Sequence, residues 1–180
     1  MKKLLICLIL GTLFISFSSS KSSTRYEMPL KVNYNQLRPE VKAEIECLTN
    51  NIFFEAAHEP RKGKEAVAFV TLNRVNSGLY PQSICGVVKQ KTTGVCQFSW
   101  YCQEKENRLS YSKNLTRAQE VLYNEIRDLA IYVYANYEKL TDPTKGALFY
   151  HADYVRPKWR NVVYSTTIGR HIFYVRKDTI

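Results

Sequence analysis

Two prolines, Pro39 and Pro60, bracket the stretch that most limits how this chain can fold. A proline costs nothing at the first position of a helix, where its missing N–H would have no partner, and it ends a helix that runs into it. Between them Val41, Ile45, Leu48 and Ile52 recur at spacings of four, three and four, which marks one buried helical face. The next position on that face is Glu55. A carboxyl group in line with four apolar side chains is partly desolvated, and desolvation raises its pKa. Such a group can hold and give a proton near neutral pH. Glu55 is therefore a candidate general acid near a helix end, where a cleft can open. A structural ion pair with Arg or Lys, or a side chain turned to solvent, is the plain alternative.

At 180 residues the chain accommodates one domain with a real core beyond a targeting segment. Met1–Ser20 has the pattern of a secretory signal: Lys2 and Lys3, an apolar run from Leu4 to Phe17, then Ser18, Ser19 and Ser20. The run is short for a membrane span, and retention as an N-terminal anchor is the alternative. Without these residues the chain loses two lysines and no acid, so its formal charge moves from +10 to +8. A basic exported protein has polyanions to meet: cell-wall polymers, membrane headgroups or extracellular nucleic acid. Cys47, Cys85, Cys96 and Cys102 remain. An even number in an exported chain reads as two disulfides, and the sequence leaves all three pairings open.

Residues 21–37 read as an extended lead-in to a catalytic domain over 38–180. The pattern predicts a turn over Pro60–Gly63, a helix over Lys64–Asn76 with Ala66, Val67, Val70 and Val75 inward, and a helical turn over Ile84–Gln90. Val95–Cys102 is expected to be strand-like or a rigid loop, and Glu104–Leu115 a polar loop. Thr116-Arg117-Ala118-Gln119 is a capping box that opens a long helix to about Tyr137. Ala147–His151 reads as a strand, and Val162–Ile168 with His171–Val175 as a hairpin around Gly169-Arg170. The fold class is α+β, mainly α, with a small antiparallel sheet or hairpin.

His58-Glu59 begins like a zinc-protease helix, but position 62 is lysine and Pro60 breaks the helix. The other two histidines, His151 and His171, are well separated, so no metal site is expected. Nucleophilic cysteine chemistry needs a free thiolate, which disulfides would remove. Cys96-Gln97-Phe98-Ser99-Trp100-Tyr101-Cys102 places aromatic and hydrogen-bonding side chains between two cysteines. That composition suits a carbohydrate cleft, where flat rings face sugars and a few polar groups read hydroxyls; a packed core loop is the alternative. Tyr150, His151, Trp159, His171 and Tyr174 form a second aromatic and imidazole group.

These blocks carry a resemblance. Phe54-Glu55-Ala56-Ala57-His58-Glu59-Pro60, Gly63, Ala66-Val67-Ala68 and Leu72-Asn73-Arg74-Val75 resemble the opening motif of the cell wall hydrolase family that includes the spore-cortex-lytic enzymes. Cys85, the Cys96–Cys102 segment, Gly146-Ala147 with Tyr150-His151, Trp159, and Ile168-Gly169 with His171 and Phe173-Tyr174 resemble its later blocks in the same order. The chain departs from the family's usual residues at Ala57-His58, Lys64 and Gln103-Glu104. The resemblance implies a lysozyme-like fold, a peptidoglycan glycan substrate and Glu55 as the catalytic residue. It implies cleavage of the MurNAc-β-1,4-GlcNAc bond, favouring a lytic transglycosylase that leaves 1,6-anhydroMurNAc ends. Gln97, Phe98, Ser99, Trp100, Tyr150, His151, Trp159, His171 and Tyr174 are the expected substrate-binding residues. No cofactor, metal or nucleic acid is expected, a membrane only through a retained N-terminal segment, and the protein is expected to be monomeric. The alternatives are a hydrolytic muramidase using Glu59, Asp142 or Asp153 as second carboxylate, a non-catalytic glycan-binding wall protein, and a metal-dependent nuclease using His151 or His171.

Overall fold

The structure is a computed structural model and describes residues 32–103 and 115–179. The expected signal, most of the lead-in and the polar loop up to residue 114 lie outside the described residues. The described end of the lead-in is not extended throughout: Tyr34–Gln36 forms a 3-10 turn, capped by the Asn33 side chain. The Tyr34 hydroxyl donates to Glu46 at 2.7 Å and so fastens this turn to the first helix.

Helix α1 spans Pro39–Ala56, with Pro39 at its start as the sequence predicts. Ile45, Leu48 and Ile52 have 0% exposure, while Val41 at the outer end is half-buried. Each fully buried side chain of this size contributes roughly 1.5–3 kcal/mol. Thr49 and Asn51 are buried too, because α1 is covered on more than one side. Helix α2 spans Arg61–Asn76 and follows α1 after a short corner. The sequence suggested a turn as far as Gly63, since glycine is a poor helix former. Instead Pro60 is the residue before the helix, and Arg61 and Glu65 pair across its first turn at 2.8 Å. Gly63 belongs inside this turn, where the Glu59 side chain lies against it.

Helix α3 is Ile84–Val88. Strands β1 (Lys91–Thr92) and β2 (Val95–Cys96) form a two-residue ladder, and α4 spans Ser99–Gln103. Val95–Cys102 is therefore neither one strand nor one loop. The Cys96–Cys102 disulfide brings those Cα atoms to 5.7 Å, whereas an extended chain of six residues would span about 20 Å. The segment has to double back, and one turn of helix does this. The second disulfide joins Cys47 on α1 to Cys85 on α3. Helix α5, Arg117–Asn136, opens with the predicted capping box, in which Thr116 and Gln119 satisfy one another's backbone N–H groups. One core joins α1, α2, α3, α4 and α5 through Leu48, Ile52, Val67, Leu72, Val87, Trp100 and Ile126 among others.

Strand β3 is Phe149–Ala152, β4 is Val162–Ile168 and β5 is His171–Arg176. They form an antiparallel sheet in the order β3-β5-β4, with an irregularity between Tyr164 and Thr166. The fold is α+β and mainly α, as the sequence indicates. Phe173, Ile168 and Ala147 pack on Ala66 and Val70 of α2 in a second, smaller core.

One contact locks the α1–α2 corner to the β4–β5 turn. Glu59 Oε2 accepts from the Arg170 backbone N–H at 3.0 Å. The neighbouring residue is Gly169 at φ +58°, and a Cβ there would overlap Glu59 Oε2. Gly169→Ala is expected to destabilise the fold by about 1–3 kcal/mol in urea titrations, from the left-handed backbone and the overlap together. Adding Glu59→Ala should recover part of that loss, giving a favourable coupling in a double-mutant cycle. A double variant that costs the full sum of the single changes would show that the overlap is not there.

Candidate active site

Glu55 sits in the last turn of α1, one residue before its final helical residue. It lines a cleft of about 450 Å³ with Phe54, Ser99 and Trp100 of α4, Tyr150, His151 and Ala152 of β3, Tyr154, and His171 of β5. The helical part of the molecule thus supplies the carboxyl group, and the sheet supplies the side chains facing it. The Tyr150 hydroxyl donates to Glu55 Oε2 at 3.1 Å.

Burial raises the Glu55 pKa, and the Tyr150 hydrogen bond and the positive charge of Arg74 oppose that rise in part. Burial pushes the Tyr150 phenol well above its ordinary range, reinforced by the Glu55 charge, so it remains a hydrogen-bond donor. His171 is lowered, chiefly by burial, which favours a neutral ring. Its Nδ1 has no hydrogen-bond partner among the described residues.

Arg74 is the residue that sequence reasoning passed over. It is 3% exposed. Its Nε donates to the Leu148 carbonyl at 2.8 Å, and its guanidinium lies 5.2 Å from the Tyr80 ring centre and 5.3 Å from that of Phe98. The signal was present: Val67, Val70 and Arg74 follow one another at helical spacing, a charge on an apolar face, just as Glu55 is. Phe54 and Tyr154 were also missed as lining residues. Phe54 stacks on Trp100, with centroids 4.5 Å apart.

The expected substrate-binding residues divide. Ser99, Trp100, Tyr150, His151 and His171 meet at the cleft with Glu55. Gln97 and Phe98 do not line it. Burial alternates from Cys96 to Trp100, so Phe98 turns inward onto Arg74 and Gln97 outward to solvent. Trp100 is a wall with a fixed orientation: its indole N–H donates to Asn51 Oδ1, and Asn51 in turn donates to Thr71. Trp159 and Tyr174 lie outside the cleft, against the ring of His151.

The proposed second carboxylates are engaged elsewhere. Glu59 holds the Arg170 N–H, Asp153 pairs with Arg170 at 3.2 Å, and Asp142 accepts from Asn73, Thr144 and Gly146. Among the described lining residues Glu55 is the only carboxylate. Among the described residues no group of three or more His, Cys, Asp or Glu is placed to hold a metal ion.

Comparison with known proteins places this arrangement. The model of the cell wall hydrolase family matches residues 58–174. The chain belongs to the cell wall hydrolase family. The match begins just after Glu55, so the placement of that residue rests on the geometry above. Over 136 residues the chain is 30% identical to the spore cortex-lytic enzyme of Bacillus subtilis, covering 72% of this chain and 37% of that protein. It is 44% identical over 45 residues to the spore cortex-lytic enzyme of Oceanobacillus iheyensis, covering 25% of this chain and 16% of that protein. The chain thus spans well under half the length of these relatives. Among solved structures it resembles the catalytic domain of the germination-specific lytic transglycosylase SleB of Bacillus anthracis. The TM-score is 0.53 at 28% identity, covering 78% of this chain and 98% of that one.

A raised carboxyl pKa has a thermodynamic consequence. The folded state holds the Glu55 proton more tightly than the unfolded state, so its contribution to stability is complete below the unfolded pKa. It is lost as pH rises through the folded pKa. Glu55→Gln, which stays neutral, should therefore melt higher than the parent at pH 7–8 and the same as the parent near pH 3. Scanning calorimetry across that range measures it, and a Gln variant less stable at neutral pH would contradict the desolvation of Glu55.

Proposed function

We propose that this protein cleaves peptidoglycan glycan strands at the MurNAc-β-1,4-GlcNAc bond as a lytic transglycosylase, with Glu55 acting first as acid and then as base. The observation that carries the reading is a desolvated carboxyl group that is the only carboxylate among the described residues lining its cleft. Its protonated form persists to higher pH than that of a solvent-exposed glutamate. Membership of the cell wall hydrolase family and the spore cortex-lytic relatives support the substrate. Two disulfides fit an exported protein working at a cell wall.

In the first step the Glu55 proton passes to the glycosidic oxygen as the C1–O bond breaks and the muramic ring becomes oxocarbenium-like. With Oε2 held by Tyr150, Oε1 is the oxygen that meets the leaving group. In the second step the Glu55 carboxylate takes the proton of the muramic C6 hydroxyl. O6 bonds to C1, and a 1,6-anhydro end results. No water and no second carboxylate enters the product. Tyr150 holds the carboxyl in one orientation and keeps it from rising further in pKa. Ser99 and the neutral His171 are polar groups of the lining suited to read sugar hydroxyls.

The test is a mass spectrum of products from purified peptidoglycan. Anhydro-muramic ends are expected, with Glu55→Gln slower by about 10²–10⁴-fold, the usual range for loss of an acid–base group. Reducing muramic ends would instead mean hydrolysis by a held water. Tyr150→Phe removes the hydrogen bond that lowers the Glu55 pKa, so the alkaline limb of the pH–rate profile should move to higher pH. The rate should fall roughly tenfold or more, since a hydrogen bond to a charged group contributes about 1.5–3 kcal/mol. An unmoved alkaline limb would separate that limb from Glu55.

A further inference from the structure

A sheet face turned to solvent ordinarily carries polar side chains, but the outer face of the three-stranded sheet carries rings. Strand register sets Phe149 of β3 and Tyr164 of β4 opposite Tyr174 of β5, and opposed residues share a face. The next pair, Tyr150 and Phe173, points the other way, and Phe173 is sealed in the core. On the outer face Tyr174 is central. Its ring stacks on His151 at 5.4 Å and meets Trp159 and Tyr164 edge-on at 5.9 and 6.3 Å. Trp159 also leans on Phe149 at 5.7 Å. The rings brace one another without hiding: Trp159 is 41% exposed and Tyr164 59%.

Apolar ring faces edged with hydroxyl, indole and imidazole groups suit a pyranose ring, which has apolar C–H faces and a polar circumference. Two further observations say which partner fits. His151 belongs to both surfaces: it lines the Glu55 cleft and stacks on Tyr174, so the outer face is continuous with the cleft. Lys158 and Arg160 flank Trp159, are exposed, and enter no ion pair among the described residues. They complement an anionic polymer: muramic acid residues without a stem peptide carry a free lactyl carboxylate, and stem peptides carry carboxylates of their own.

We propose that this face is a second glycan-binding site, a shelf on which the strand lies after it leaves the cleft. Sugar rings rest on Trp159 and Tyr164, and the free carboxylates of the polymer face Lys158 and Arg160. The shelf rests on the reading of the cleft as a peptidoglycan site, but its test needs no catalysis.

The experiment uses the full chain carrying Glu55→Gln and, as probe, soluble peptide-free glycan strands from purified peptidoglycan. The chain has two tryptophans, and Trp100 is 9% exposed, so acrylamide quenching reports mainly on Trp159. Added strands should shield the fluorescence, and the shielding should be absent in Trp159→Phe. Retention on insoluble sacculi should fall about tenfold when Trp159→Ala and Tyr164→Ala are combined. Unchanged quenching with strands present, or unchanged retention of the double variant, overturns the proposal. An indole already shielded before strands are added would mean that another part of the chain covers the face, and overturns it too. If the double variant melts far below the parent, the Trp159→Phe result decides, because that change keeps a ring in place. The two readings fail separately. Parent protein that cleaves nothing while Trp159 is shielded removes the catalytic reading and keeps the shelf; parent protein that cleaves while Trp159 stays open to quencher removes the shelf alone.

Discussion

A guanidinium almost without access to water holds the helical part of this molecule to its sheet. Arg74 leaves α2, gives its Nε to the Leu148 carbonyl at the entrance to β3, and has aromatic rings beside it. Placing a charge there is costly, by several kcal/mol in a typical interior. The cost is offset by the hydrogen bond, by the ring quadrupoles of Tyr80 and Phe98 and by attraction to Glu55 when that group is ionised. The same positive charge acts on the Glu55 carboxyl, drawing its pKa down against the effect of burial. Structural support and acid–base tuning therefore come from one side chain. Asn73, the residue before it, extends the joint by donating to Asp142 and to the Ala147 carbonyl.

The cleft exists because two differently built surfaces are brought face to face at fixed separation. Glu55 is carried by a helix whose burial is settled by Ile45, Leu48 and Ile52. Tyr150 and His171 are carried by strands anchored through Phe173 and Ile168 onto Ala66 and Val70. Neither surface contains the whole site. The Arg74 joint and the Glu59 contact with the Arg170 N–H lie at two places along the seam between them. This explains why family resemblance and local pattern both pointed to Glu55, while its surroundings were legible only in part: Ser99, Trp100, Tyr150, His151 and His171 were expected at the cleft, and Phe54 and Tyr154 were not.

What could be read from sequence was what depends on residues close together in the chain. The Pro39 start, the 45–48–52 face and the Thr116–Gln119 capping box are local, and the structure contains all three. What could not be read depends on pairing at a distance. The sequence allowed three disulfide pairings, and packing of α3 on α1 selects Cys47 with Cys85. Gly63 looked like a turn because propensity favours one, but Pro60 and the neighbouring α1 start the helix earlier. Trp159 and Tyr174 were grouped with the cleft by composition; strand register puts Tyr174 on the opposite face from Tyr150, and Trp159, in the connection between β3 and β4, packs edge-on against Tyr174. Phe98 was grouped with it by proximity to Trp100, and alternation turned it toward Arg74.

One wall of the cleft is α4, a helix of five residues. Isolated helices that short do not hold themselves together in water. What closes this one is covalent: the bond between Cys96 and Cys102 encloses Ser99 and Trp100 within a small ring of chain. Such a bond forms where thiols are oxidised and is rare where they are kept reduced. The wall beside Glu55 is thus completed by the chemistry of the compartment as well as by folding. A chain whose thiols are still reduced carries its carboxyl group beside a wall that lacks its fastening.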